Sequence, residues 1–313
     1  MACCQSPLVG AWEHSEMSRN GCKGGGKARG WRQALRVPMA LAALAAGASV
    51  WMKPVLAQSP LPGRAPEPEG WHAGRPLRAC ASEQPFPPYT FVLPGNPRPQ
   101  GLGVQLLHQL VKEAAGVPLS IELMPLERCL QRLEQGHYQL AMDVPTMRVD
   151  PLRFYATQPY AQVATVYVYA RDVHPEGLGV NRLADLRRLK VCVLRGFPLE
   201  DDMVDARQVD DQSTSLEQLF GKVQQGRCDA ALEREDVFDH LAQGQASLAR
   251  WVRQMRLKAE KVPQDSAVRY HVVVSRQMPG SERLQGMLDA RLRRLHQQGL
   301  LPLKPGTPVQ EMP

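Results

Sequence analysis

The residues best suited to holding a small anion are Arg195, Gly196, Phe197 and Pro198, which directly follow the β-branched run KVCVL. A guanidinium presents a planar fork that matches a carboxylate. Gly196 lets the backbone approach an anion, and Pro198 can occupy the first turn of a following helix. A plain strand-to-helix turn is the alternative reading. Arg148 and Arg153 offer the same fork on either side of Asp150, after Asp143-Val144-Pro145-Thr146. Three rings, Phe86, Tyr89 and Phe91, share a loop stiffened by Pro87 and Pro88, where an aromatic face can take a cationic group. Glu233, Glu235 and Asp236 form an acidic cluster in LEREDVF, a pattern that more commonly faces solvent or a helix dipole.

Patterns for covalent or metal chemistry are missing. The eight histidines include no H-E-x-x-H, the cysteines no C-x-x-C, and no serine sits in G-x-S-x-G. Gly21 to Ala28, GCKGGGKA, mimics a phosphate loop, but Ala28 stands where a Ser or Thr would reach a magnesium ion and no strand precedes it. The sequence therefore predicts neither a cofactor nor a metal.

Where these residues lie changes what the composition means. The chain of 313 residues is 43% apolar and 22% charged, the balance of one large or two average globular domains, which excludes a disordered or rod-like chain. Its net charge of +7 and seven cysteines look basic and thiol-rich. Arg29, Arg32 and Arg36 precede the Ala/Leu-rich run from Val37 to Met52, and Val55-Leu56-Ala57 ends it, so residues 1–57 read as an N-terminal extension and a signal peptide cut after Ala57. Gly47 and Ser49 leave that run short of the roughly 20 apolar residues that a membrane span needs. Met17 is an alternative start. Removing seven basic and two acidic residues with the leader leaves 31 basic against 29 acidic, a net of +2, and four cysteines: Cys80, Cys129, Cys192 and Cys228. The basic character belongs mostly to the leader, so nucleic acid is not an expected partner. Residues 58–76 contain five prolines and read as a tether.

From Leu77 the pattern is β-α-β-α-β: strands at LRACA, SIELM and YQLAMDV, with helices at Val104 to Ala115 and Leu126 to Glu134. A second set follows. Its strands are KVCVL, CDAAL and YHVVVS, and its helices are expected at Leu183 to Leu186, Leu199 to Ala206, Ser215 to Gln225, around Val237 to Arg250 and at Ser281 to Gln298. These units predict an α/β fold with two lobes, each a mostly parallel sheet flanked by helices, and a ligand cleft between them.

Several short stretches, in this order, carry a resemblance: Phe86-Pro87-Pro88-Tyr89, Gly101-Leu102-Gly103-Val104, Gly136-His137-Tyr138-Gln139, Gln158-Pro159-Tyr160, Asp185-Leu186, Arg195-Gly196, Gly226-Arg227-Cys228-Asp229-Ala230 and Tyr270 to Ser275. Over Leu77 to Leu303 the chain resembles the polar-amino-acid class, family 3, of bacterial extracellular solute-binding proteins. The resemblance implies a monomeric type II periplasmic binding fold, with lobe one at 77–166 and 272–313 and lobe two at 167–271. It implies capture of a small polar solute, an amino acid or related carboxylate, and delivery to an ABC importer of the inner membrane. An orphan binding module that serves a membrane sensor is the alternative, and a dehydratase-type enzyme, with Glu233 or Asp143 as acid or base, a further one.

The implied ligand set is Phe86, Tyr89, Asp143, Arg148, Arg195, Gly196, Phe197 and Glu233: rings around the solute, Arg148 ahead of Arg153 on its carboxylate, and Glu233 on its ammonium. Two positions depart from the family. Asp150 stands where its anchoring arginine is counted, and Phe197 where a Ser or Thr follows the glycine, so an ordinary amino acid is not assumed. Cys228 precedes the strand expected beside that of Cys192, and one bridge per lobe leaves closure free, which predicts Cys80–Cys129 and Cys192–Cys228 disulfides.

Overall fold

The computed structural model describes residues 74–199, 203–244, 246–263, 267–309 and 312. The leader, its phosphate-loop mimic and nearly all of the tether lie outside them. The strands are β1 (Leu77–Ser82), β2 (Phe91–Leu93), β3 (Asn96–Gln100), β4 (Leu119–Met124), β5 (Leu140–Pro145), β6 (Phe154–Ala156), β7 (Ala161–Val163), β8 (Thr165–Ala170), β9 (Val191–Leu194), β10 (Val209–Ser213), β11 (Ala230–Arg234), β12 (Leu257–Lys261) and β13 (Val268–Ser275). The helices are α1 (Leu102–Ala115), α2 (Leu126–Glu134), α3 (Leu183–Leu186), α4 (Leu216–Gln224), α5 (Glu235–Gln243), α6 (Ala246–Gln254) and α7 (Ser281–Gln297).

Two sheets organise the chain. The first runs β4-β1-β5-β13-β6, with β7 also on β13; the second runs β10-β9-β11-β8-β12. Each is parallel over three strands, β4-β1-β5 and β10-β9-β11, and antiparallel where β13, β8 and β12 join. The parallel parts are the β-α-β units of the sequence, and the antiparallel strands bring the chain into or out of a sheet. Thr165 already belongs to the second sheet and Val268 to the first, so the described strands change sheet a few residues ahead of 166/167 and 271/272.

Helical spacing becomes burial in a direct way. Leu106, Leu107, Leu110 and Val111 of α1 are buried and pack with Leu284, Leu288, Leu292 and Leu295 of α7 in the core of the first sheet. Burying a leucine is worth about 2 kcal/mol, so this seam carries much of the lobe's cohesion. Ser215 caps α4 by accepting from the Gln218 N–H at 3.3 Å, and Leu216, Leu219, Phe220 and Val223 face the second sheet. Gly101 ahead of α1 has φ +123°, and a Cβ there would stand 2.3 Å from the Tyr89 carbonyl, so only glycine fits this turn.

Two expected helices differ. Residues 203–205 carry no helix; a 3-10 turn at Ala206–Gln208, which Asp205 caps by accepting from the Arg207 N–H, leads straight into β10. That strand, VDDQS, is polar because it edges the sheet, so it lacked an apolar signal. The helix expected around Val237 to Arg250 is two, α5 and α6, separated at Gly244. The cysteines pair as expected, Cys80–Cys129 between β1 and α2 and Cys192–Cys228 at the second sheet, with Cα atoms 5.6 and 5.9 Å apart. Among the described residues no helix is long and apolar enough to cross a membrane.

Candidate functional site

The carboxyl ends of β1, β5, β9 and β11 converge where the two sheets face each other. In open α/β sheets this is where ligands bind. Two adjoining chambers occupy the place and share Ser82, Gln84, Pro85, Leu126, Leu194 and Gly196 as walls. The inner chamber, about 50 Å³, is closed by Phe86, Asp143, Phe197, Glu233, Arg234 and Tyr270. The outer one, about 480 Å³, adds Glu83, Glu127, Arg148, Arg195, Ser213 and Thr214. Small-molecule sites measure about 300–1,000 Å³, so the outer chamber is of ligand size. The inner one has room for a few waters or an end group and not for a whole solute.

Glu233 lies near the carboxyl end of β11 and is 3% exposed. Its Oε1 accepts from the Arg234 N–H at 2.7 Å, while Oε2 has no hydrogen-bond partner among the described residues. Burial disfavours the ionised form and pushes its pKa up to about 7, against the pull of Arg234. Asp143 on β5 is also buried. It accepts from the Tyr160 hydroxyl, and its own N–H donates to the Tyr160 oxygen at 2.9 Å. Burial raises its pKa too. Asp143 holds φ +56°, a left-handed conformation rare outside glycine that marks local strain at the site.

Arg234 was not singled out by sequence reasoning. It is 2% exposed and reaches across the lobes: Nε donates to the Tyr270 hydroxyl at 2.9 Å, Nη1 to Thr165 Oγ1, and Nη2 to the Pro198 carbonyl at 2.9 Å. Its guanidinium carbon lies 4.6 Å from the ring centroid of Phe197. Four neutral groups thus hold a buried cation, with no ion pair among the described residues. Two charges closing an apolar strand, Glu233-Arg234 after Ala-Ala-Leu, were the available signal; a helix opening at Glu235 disguised it as a solvated cluster.

The other expected residues divide between the chambers and the lobe seam. Phe86 packs on both hydrophobic cores, with its ring 4.8 Å from that of Tyr89 and 4.6 Å from that of Tyr270. Tyr89 does not line the cleft. It is fully buried, and its hydroxyl donates to Asp236 Oδ2 of α5 at 2.5 Å, with the Leu303 carbonyl 3.1 Å away. Arg148 and Arg195 line the outer chamber, the former 3.2 Å from Glu127. Arg153 is drawn off to Glu134. Gly196 has φ +77°, and a Cβ there would meet Gln84 Nε2 at 3.3 Å, so these two residues of the shared wall approach each other closely. Pro198 starts no helix, since irregular chain follows it up to Leu199. Among the described residues, no helix places its dipole on an anion at this turn.

No protein-family model matches the chain, and no curated protein matches it by sequence. Solved structures do. The substrate-binding protein of an amino acid ABC transporter superposes with a TM-score of 0.53 at 18% identity, covering 72% of this chain and 95% of that one. A histidine kinase sensor domain with similarity to periplasmic binding proteins gives 0.54 at 18%, covering 72% and 92%. Holo ArgBP from T. maritima gives 0.53 at 20%, covering 71% and 90%. At this identity the likeness concerns the fold: the chain has the two-lobed architecture of the periplasmic binding proteins.

Proposed function

We propose that this protein is an exported solute-binding protein that closes its two lobes on a small polar solute, an amino acid or related carboxylate, without acting on it chemically. The observation that carries the reading is the cleft itself: both sheets contribute their strand ends to chambers lined by a buried carboxyl group, Glu233, one of whose oxygens has no hydrogen-bond partner among the described residues. The similar structures support it, since they include the substrate-binding protein of an amino acid transporter and a protein described as arginine-bound. The lobes follow the two sheets, so lobe one takes about 77–164 and 268–313 and lobe two about 165–267. Delivery to an ABC importer of the inner membrane is the favoured use. Reporting to a membrane sensor is the second, favoured by the likeness to a histidine kinase sensor domain.

Thermal-shift screening of the purified protein against amino acids, opines, polyamines and organic acids tests the reading. A ligand at 100 times its Kd stabilises the folded state by about 2.7 kcal/mol, an easily resolved rise in Tm. If no compound raises the Tm, the protein is not a binder of these solutes. A product released from a bound compound would make it an enzyme instead.

A further inference from the structure

Two residues of the second lobe that line the chambers each carry a buried polar atom with no hydrogen-bond partner among the described residues. Glu233, whose Oε2 is the unpartnered atom, lines the inner chamber, and Ser213, 0% exposed at the end of β10 and unpartnered at Oγ, lines the outer one. Leaving such an atom unsatisfied is costly, so each is a strong demand for a complementary group. The demands differ in kind. A carboxylate oxygen only accepts, whereas a hydroxyl can donate.

The surroundings reinforce that difference. The inner chamber has two buried carboxyl groups, Asp143 and Glu233, and the rings of Phe86 and Tyr270, all suited to a cationic or strongly donating group. Arg234 also lines this chamber, but its side-chain hydrogen bonds are directed at the neutral groups of Tyr270, Thr165 and Pro198 and not at the two carboxyls. The inner volume of about 50 Å³ admits an end group and not a whole solute. In the outer chamber Arg195 is exposed beside Ser213, a cation next to a hydroxyl donor. Arg148 is occupied by Glu127 there.

Resting on the binding reading above, we propose that the two chambers take opposite ends of one extended solute: a terminal ammonium on Glu233 in the inner chamber, and a carboxylate on Ser213 and Arg195 in the outer one, with Gly196 and Gln84 closing around the chain between them. The solute class is then an ω-amino carboxylate, in which several carbons separate the charges, and not an α-amino acid, whose two groups share one carbon.

Isothermal titration calorimetry of the full-length protein with 4-aminobutanoate, 5-aminopentanoate, alanine and n-butylamine tests this. The ω-amino acids are expected to bind at least tenfold more tightly than alanine. Ser213→Ala is expected to weaken 5-aminopentanoate about tenfold and leave butylamine unchanged, whereas Glu233→Gln weakens both. Ser213→Ala removes an unsatisfied atom, so its melting temperature equals or exceeds that of the parent, which separates lost binding from lost folding. Alanine binding as tightly as the ω-amino acids, or a Ser213→Ala protein with unchanged affinity for 5-aminopentanoate, would overturn the two-ended arrangement while leaving solute binding intact. Alanine, the ω-amino acids and butylamine all failing, together with every compound of the wider thermal-shift screen, would sink both.

Discussion

Glu233→Gln should stabilise the protein relative to the parent by an amount that grows from about pH 4.5 and levels off above about pH 7. The parent carboxyl has its pKa pushed from the ordinary 4.5 to about 7 by burial. Below pH 4.5 it is protonated in folded and unfolded states alike and contributes no pH dependence. Between 4.5 and about 7 the folded state retains a proton that the unfolded state has released, so stability falls by about 1.4 kcal/mol per pH unit. Above pH 7 the whole loss, about 3 kcal/mol, is in place. Glutamine keeps the Oε1 acceptor for the Arg234 N–H, at 2.7 Å in the parent, and removes the titration. Urea unfolding of both proteins at pH 4.5, 6 and 8 measures this directly. The expected advantage of the variant over the parent grows by about 3 kcal/mol from the lowest pH to the highest. Asp143, also raised by burial, is common to both proteins and cancels. A difference between them that is the same at all three pH values would refute the reasoning, because it would mean that Glu233 is solvated when ionised.

Two other expectations concern how the lobes are held. The bridges Cys80–Cys129 and Cys192–Cys228 span 49 and 36 residues, so each lowers the entropy of the unfolded chain by an amount worth about 4 kcal/mol, and reduction should lower the urea midpoint markedly; mass mapping of a non-reduced digest would show two peptides, each within one lobe. Tyr89→Phe deletes the hydroxyl that joins the first lobe to Asp236 of the second, leaves a half-buried carboxyl without its donor, and should cost about 1–3 kcal/mol at pH 8 and less at low pH, where Asp236, its pKa raised by burial, is protonated; equal losses at both pH values would speak against an ionised Asp236 at the seam.

Much of this could be read from residue order, and the failures have physical causes. Helical spacing located α1, α2 and α7 because their apolar faces pack on sheets. β10 was missed because an edge strand needs little apolar surface, and VDDQS has a single apolar residue, Val209. At the site, Glu233 and Gly196 were legible from their places at strand ends. Tyr89 was misplaced: an aromatic after the first strand suits a ligand wall, and nothing local shows that its hydroxyl meets Asp236, 147 residues away. Arg234 failed for a related reason. Its acceptors, Thr165, Pro198 and Tyr270, come from three distant segments, and only the assembled fold makes a buried arginine affordable.

The unequal continuity of the two sheets bears on the order in which the protein can form during synthesis. Every strand of the second sheet lies between Thr165 and Lys261, so that sheet has all its partners once a single stretch of chain has emerged. The first sheet must wait. Its β1, β4 and β5 are made early, but β13, which joins β5 to β6 and β7, arrives only with residues 268–275, and Leu303 bridges Ala161 later still. A nascent chain therefore carries an open β5 edge past the growing second lobe, and the first lobe can seal only when the segment from Val268 onward returns to it.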